Sequence, residues 1–115
     1  MIKISIEDDK LIIRGHSSAE DKDHEVICAA VSATAQMLML GLRLAGVPED
    51  AFSEPEEHGG EVVIDLTGVE EMERSCRIVL CAGIFQMMSI ANARPKSVSV
   101  DIDFVKFSKY MDFSY

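Results

Sequence analysis

The chain has 115 residues, 48% of them apolar and 27% charged, the balance of one folded domain, which excludes disordered and collagen-like classes. Twenty Asp and Glu against 11 Lys and Arg give a formal charge of −9, a surface that repels phosphate backbones and attracts basic peptides. Three cysteines, an odd number, do not form a disulfide framework. With no signal-peptide pattern and no apolar run of the ~20 residues a membrane span needs, the expectation is a cytoplasmic protein that binds neither nucleic acid nor membrane.

Ile2, Ile4 and Ile6 alternate with Lys3, Ser5 and Glu7, the period of a half-buried strand. Asp8-Asp9-Lys10 turns the chain and Leu11-Ile12-Ile13 returns it, so the sequence opens on a β-hairpin. From Ser17 to Glu25 only Ala19 is apolar, which reads as a solvated loop. Val26 to about Ala45 is rich in Ala, Leu and Met and carries no charge before Arg43, which predicts a helix covered on more than one side. Gly46 and Pro48 stop it, and Glu49 to His58 is acidic and irregular.

Gly59-Gly60 precedes a third strand with Val62, Ile64 and Leu66 on one face. Thr67-Gly68-Val69-Glu70 has the spacing of a capping box, and Glu71 and Glu73 suit the positive end of a second helix. That helix buries a stripe through Val69, Met72, Cys76, Leu80, Gly83 and Met87 and ends at Arg94-Pro95. Val98, Val100, Ile102 and Phe104 alternate as a fourth strand. The order ββαβαβ predicts an α/β fold of the α+β type: two layers, a mixed sheet of four or five strands and two long helices, in a single domain over residues 1–115. Residues 105–115 form an aromatic C-terminal extension, read as an edge strand or an arm packed on the body, with contact to a second subunit as the other reading.

Chemistry concentrates at the start of the first helix. Cys28 is expected in its first turn, where unpaired N–H groups and the helix dipole favour a thiolate and can hold an oxyanion. His16 lies at the end of the hairpin, and a Cys with a His base in reach is the minimum for an activated thiol. A small buried hydrophobe is the plainer reading of the cysteine. His24 reads as a solvated residue at the helix edge. Cys76 and Cys81, about 140° apart around a helix, do not share a metal site and read as core. Met37, Met39, Met72, Met87 and Met88 read as core as well. No phosphate loop, zinc spacing or dinucleotide fingerprint is present, so no cofactor and no metal are expected.

Gly15-His16-Ser17, followed twelve positions after the His by Cys28 within Val26-Ile27-Cys28-Ala29-Ala30-Val31-Ser32, resembles the signature of the ribosomal-processing cysteine proteases, the Prp family. Gly59-Gly60 and Pro95 extend the likeness, which runs to about residue 104. The resemblance implies a cytoplasmic, homodimeric cysteine endopeptidase that removes the N-terminal extension of a basic large-subunit ribosomal protein. It makes Cys28 the nucleophile and His16 the general base. Ser32, one turn beyond Cys28, is assigned to substrate positioning, and Glu25, which replaces the family's usual Asp, is grouped with it in substrate binding. Asp23 stands where the family carries a Gly that would let the loop hinge. The alternative functional reading is a non-catalytic, ribosome-associated binding module on the same scaffold, and a redox-sensing thiol is a third.

Overall fold

The computed structural model describes residues 1–15, 22–54 and 60–114. Strands β1 (Ile2–Glu7) and β2 (Lys10–Arg14) form the expected hairpin, pairing Ile4 with Ile13 and Ile6 with Leu11. Its two-residue turn places Asp8 at φ 51° and Asp9 at φ 60°, the doubly left-handed geometry that matches the twist of a tight hairpin and that Asp tolerates. β2 pairs antiparallel with β4 (Val62–Asp65), and β1 pairs parallel with β5 (Val98–Asp101). A two-residue strand, β3 (Phe52–Ser53), sits on the outer edge of β4 inside the segment that reads as irregular, completing a five-stranded mixed sheet in the order β3-β4-β2-β1-β5. Because Leu11 is in register with both Ile6 and Ile64, and Ile13 with Ile4 and Val62, apolar side chains form continuous rows across one face. That face is the floor of the core.

Two long helices form the second layer. Helix α1 (His24–Leu44) begins two residues earlier than the apolar run suggests, and α2 (Arg74–Ala93) six residues later than the capping-box spacing does. The Asp65 carboxylate accepts the Thr67 N–H at 3.0 Å, and Val69–Glu71 forms a separate 3₁₀ turn, so Thr67 caps nothing in α2. Thr67 to Glu70 is therefore a linker, not a helix start. The helices cross antiparallel at two small residues. A Cβ on Gly83 would lie 2.8 Å from the Leu38 side chain and one on Gly41 2.7 Å from that of Val79, so glycine is what lets the two helices approach.

α1 buries Ile27, Val31, Ala35, Leu38, Met39 and Leu42 in the core, while Val26, Met37, Leu40 and Leu44 are exposed in the isolated chain, Leu44 by 82%. Met37 therefore faces outward and is not core; Met39 and Met87 are buried, and Met72 and Met88 are partly so. The reason is angular: a helix laid on one side of a two-layer sandwich offers the core only about half its circumference. By length and composition both helices could cross a bilayer; here six of the seven buried residues of α1 (all but Thr34) and five of the seven of α2 (all but Arg77 and Gly83) join the apolar cluster shared with the sheet.

The fourth strand stops at Asp101, short of Ile102 and Phe104. Asp103 ends it, since its carboxylate accepts the N–H groups of Val105 and Lys106 and caps a one-turn helix, α3 (Phe104–Phe107), which runs on into a 3₁₀ turn at Ser108–Met111. The aromatic extension is thus a packed helical arm and not an edge strand. Phe107 and Tyr110 are buried, with ring centroids 5.3 Å apart. Beside them Arg77 is fully buried; it donates from Nε to the Asp112 carbonyl at 2.7 Å and from Nη1 to the carbonyls of Glu70 (3.2 Å) and Met72.

Candidate active site

At the end of the hairpin away from its turn, β2 runs out at Gly15, where φ is +95° and a Cβ would lie 2.3 Å from the Met1 carbonyl oxygen. Only glycine fits so close to the neighbouring backbone in that conformation. The α1 helix starts nearby, and between it and the β2–β4 side of the sheet runs a groove of about 650 Å³. Cys28, Ser32, Gln36 and Met39 line it from the helix, Gly15 and Val62 from the sheet, and Glu54 and Glu61 also border it. Positions 28, 32 and 36 recur at four-residue steps, which places them on one face of the helix. Cys28 is half-buried within this wall.

The helix boundary changes one part of the chemistry. With α1 starting at His24, Cys28 is its fifth residue, in the second turn and not the first, and the Ile27 N–H is already donated to the Asp23 carbonyl at 2.9 Å. The N–H groups unpaired by the helix ladder belong to the turn before Cys28, and the dipole effect fades beyond the terminal turn. The helix start therefore does not supply an oxyanion site at the sulfur itself. His24, expected as a solvated loop residue, is instead the first residue of α1, partly buried and one turn before Cys28 on the same helix face.

The other expected site residues divide. Ser32 lines the groove and its Oγ accepts a hydrogen bond from Gln36 Nε2 at 3.2 Å. Glu25 is exposed in the first turn of α1 and is not part of the groove lining. His16 lies outside the described residues, as does His58; Gly15, the residue before His16, is in the groove wall. Asp23 has φ −102° and ψ 14°, a conformation open to any residue, and its carboxylate pairs with Arg94 at 2.8 Å. Its place in the chain thus makes no demand for glycine. Gln36 and Glu54 were not legible as site residues, although Gln36 continues the four-residue spacing from Cys28 and Ser32.

Cys76 and Cys81 are buried, as expected, and burial raises both thiol pKa values, that of Cys81 to about 11. Among the described residues no group of three His, Cys, Asp or Glu side chains is placed to hold a metal ion.

Solved structures share this architecture. SMU.848 from Streptococcus mutans superposes with a TM-score of 0.66 at 22% identity, covering 88% of this chain and 94% of that one. The essential ribosomal processing protease Prp from S. aureus, in complex with a covalently linked product peptide, gives 0.64 at 14% identity, covering 89% of this chain and 97% of that one. The same S. aureus protease with a substrate peptide gives 0.63, also at 14% identity and the same coverage. No curated protein matches the sequence. The profile of the family described as cysteine protease Prp matches residues 1–99, nearly the whole chain up to β5, and the chain belongs to that family.

Proposed function

We propose that this Prp-family cysteine protease is an endopeptidase that removes an N-terminal extension from a basic ribosomal protein, with Cys28 as nucleophile and His16 as general base. The observation that carries the reading is the place of Cys28, half-buried in the wall of a groove between α1 and the sheet. The groove's helical lining from Cys28 to Met39 spans twelve residues, about 16 Å of helix from first to last, room for roughly five residues of extended peptide. His16 takes the thiol proton; the Cys28 sulfur adds to the scissile carbonyl carbon. As the tetrahedral adduct collapses, the C–N bond breaks and the protonated imidazole gives its proton to the leaving amine. Water, deprotonated by the same imidazole, then hydrolyses the thioester and frees the thiol. The net charge of −9 favours a basic substrate over RNA. The exposed apolar side chains of Val26, Met37, Leu40 and Leu44 on α1 suit a homodimer contact, and a cytoplasmic location fits a ribosomal substrate.

The test is incubation of the purified chain with the unprocessed ribosomal protein of its own organism, read by mass spectrometry. Cleavage at a single bond, lost in Cys28→Ala and in His16→Ala but kept in His24→Ala, supports the reading. Cleavage retained by Cys28→Ala sinks it, and peptide binding without cleavage by the wild type turns the chain into a binding module.

A further inference from the structure

The groove wall bears a polar ladder that the nucleophile alone does not account for. Cys28, Ser32 and Gln36 follow one another at four-residue steps along α1, about 6 Å apart in rise. An extended peptide presents main-chain groups of the same orientation every second residue, about 6.6 Å apart. The two repeats nearly match over so short a span. The hydrogen bond between the upper two rungs has a direction: Gln36 Nε2 donates and Ser32 Oγ accepts. A serine hydroxyl that accepts there keeps its O–H proton to donate, and the Gln36 carboxamide keeps its Oε1 to accept. Next to these rungs the wall is apolar, made by Val31, Ala35, Met39 and Val62.

Resting on the reading of Cys28 as nucleophile, we propose that Ser32 and Gln36 grip the main chain of the bound peptide. The Ser32 hydroxyl donates to a peptide carbonyl, Gln36 Oε1 accepts a peptide N–H, and Gln36 also holds Ser32 in its donating orientation. Backbone recognition by these rungs fixes the register of the substrate against Cys28, and the apolar wall reads its side chains. Gln36 is therefore a substrate-binding residue in its own right and a positioning residue for Ser32.

Two measurements test this. In the first, the Cys28→Ala protein binds a fluorescein-labelled peptide spanning the processing junction, followed by anisotropy, with a series of peptides N-methylated at one backbone position each. One methylation weakens binding by about fivefold, the effect of one net hydrogen bond, and this loss vanishes in Cys28→Ala/Gln36→Leu but persists in Cys28→Ala/Gln36→Glu, which keeps an acceptor oxygen. In the second, Gln36→Leu in the otherwise wild-type protein raises KM by a similar factor with kcat within twofold and an unchanged Tm. Equal sensitivity of Gln36→Leu and the parent to every N-methyl position overturns the proposal, as does an unaltered KM. Binding that follows the expected pattern while the wild type cleaves nothing upholds the ladder and removes the protease reading. A protein that binds none of the peptides overturns both.

Discussion

The two ends of the β1–β2 hairpin have opposite characters. At the open end, Gly15 and Cys28 border a groove, and Cys28 is only half-buried. At the turn end, the helical arm closes over the hairpin: Lys109 Nζ lies 2.8 Å from the Asp9 carboxylate, the Tyr110 hydroxyl donates to the same oxygen at 3.1 Å, and Arg77 is buried against three carbonyls. Nearly the length of the hairpin separates the groove from the arm. The comparison teaches that this small domain keeps a groove at one end, while at the other, the sealed end, the C-terminal arm is fastened by the bonds of Asp9 to Lys109 and Tyr110 and of Arg77 to backbone carbonyls. Residues 100–114, beyond the stretch matched by the family profile, belong almost entirely to the sealed end.

The division is sharpest in substitutions that separate activity from stability. Cys28→Ala is expected to lower cleavage by more than ~10³-fold while Tm hardly moves, because the removed sulfur is partly exposed and is the nucleophile proposed above. A kinetic assay beside a thermal melt checks both. Thiol labelling gives the next largest contrast. At pH 8, iodoacetamide should modify Cys28 at least ~10-fold faster than Cys76 or Cys81, which are buried and held protonated by their raised pKa values. Peptide mapping shows the order, and equal rates at the three sites would contradict the open-end description.

At the sealed end, Arg77→Met should cost about 3 kcal/mol and lower Tm by roughly 10 °C or more, since it leaves the Glu70, Met72 and Asp112 carbonyls without that donor. The kcat of the protein that remains folded should not change; a large fall in kcat would show that the two ends are coupled. The pH dependence of stability should follow the same cluster. Tyr110 is raised from 10.0 to about 12, chiefly by burial, and Lys109 from 10.5 to about 12, chiefly by its bond to Asp9. For both, the folded chain holds its proton more tightly than the unfolded one, so stability is full below pH 10 and falls as pH rises towards 12. Asp9 is depressed by its bonds from Lys109 and Tyr110, so its contribution is present above its ordinary value of 3.8 and is lost as pH falls below it. Denaturant melts across pH should show both losses, and Tyr110→Phe should reduce them. The smallest effect is expected for Asp23→Gly, which removes a largely exposed ion pair with Arg94 and changes stability by less than ~1 kcal/mol.

Much of the fold was legible in short-range patterns. The alternating Ile residues of β1 and the apolar run of α1 each identify their element because burial on one side of a strand or helix imposes its own period. Boundaries were less legible. The capping-box spacing at Thr67 misplaced the start of α2, since a local bond from the Thr67 N–H to Asp65 competed for the same groups. The alternation continuing to Phe104 overran β5, because the Asp103 cap that starts the arm looks, in sequence, like one more polar residue between two apolar ones.

In the site, the Cys28 motif was plain, yet its position was misjudged by one turn, and with it the reach of the helix start. Met37 illustrates the same limit: the composition of α1 shows that it is apolar nearly all round, but not which half the sheet covers.

The sequence by itself determined the main strands, the two long helices and the family, and it named Cys28 as the candidate nucleophile, because periodicity and a compact motif are written within a few turns of chain. Only the tertiary structure decided that positions 28, 32 and 36 form one wall of a groove, that a buried arginine fastens the C-terminal arm, and that the open and sealed ends lie apart. Those facts depend on contacts between residues distant in the chain, such as Arg77 with Asp112 and Lys109 with Asp9, whose partners are chosen by packing and not by neighbours in sequence.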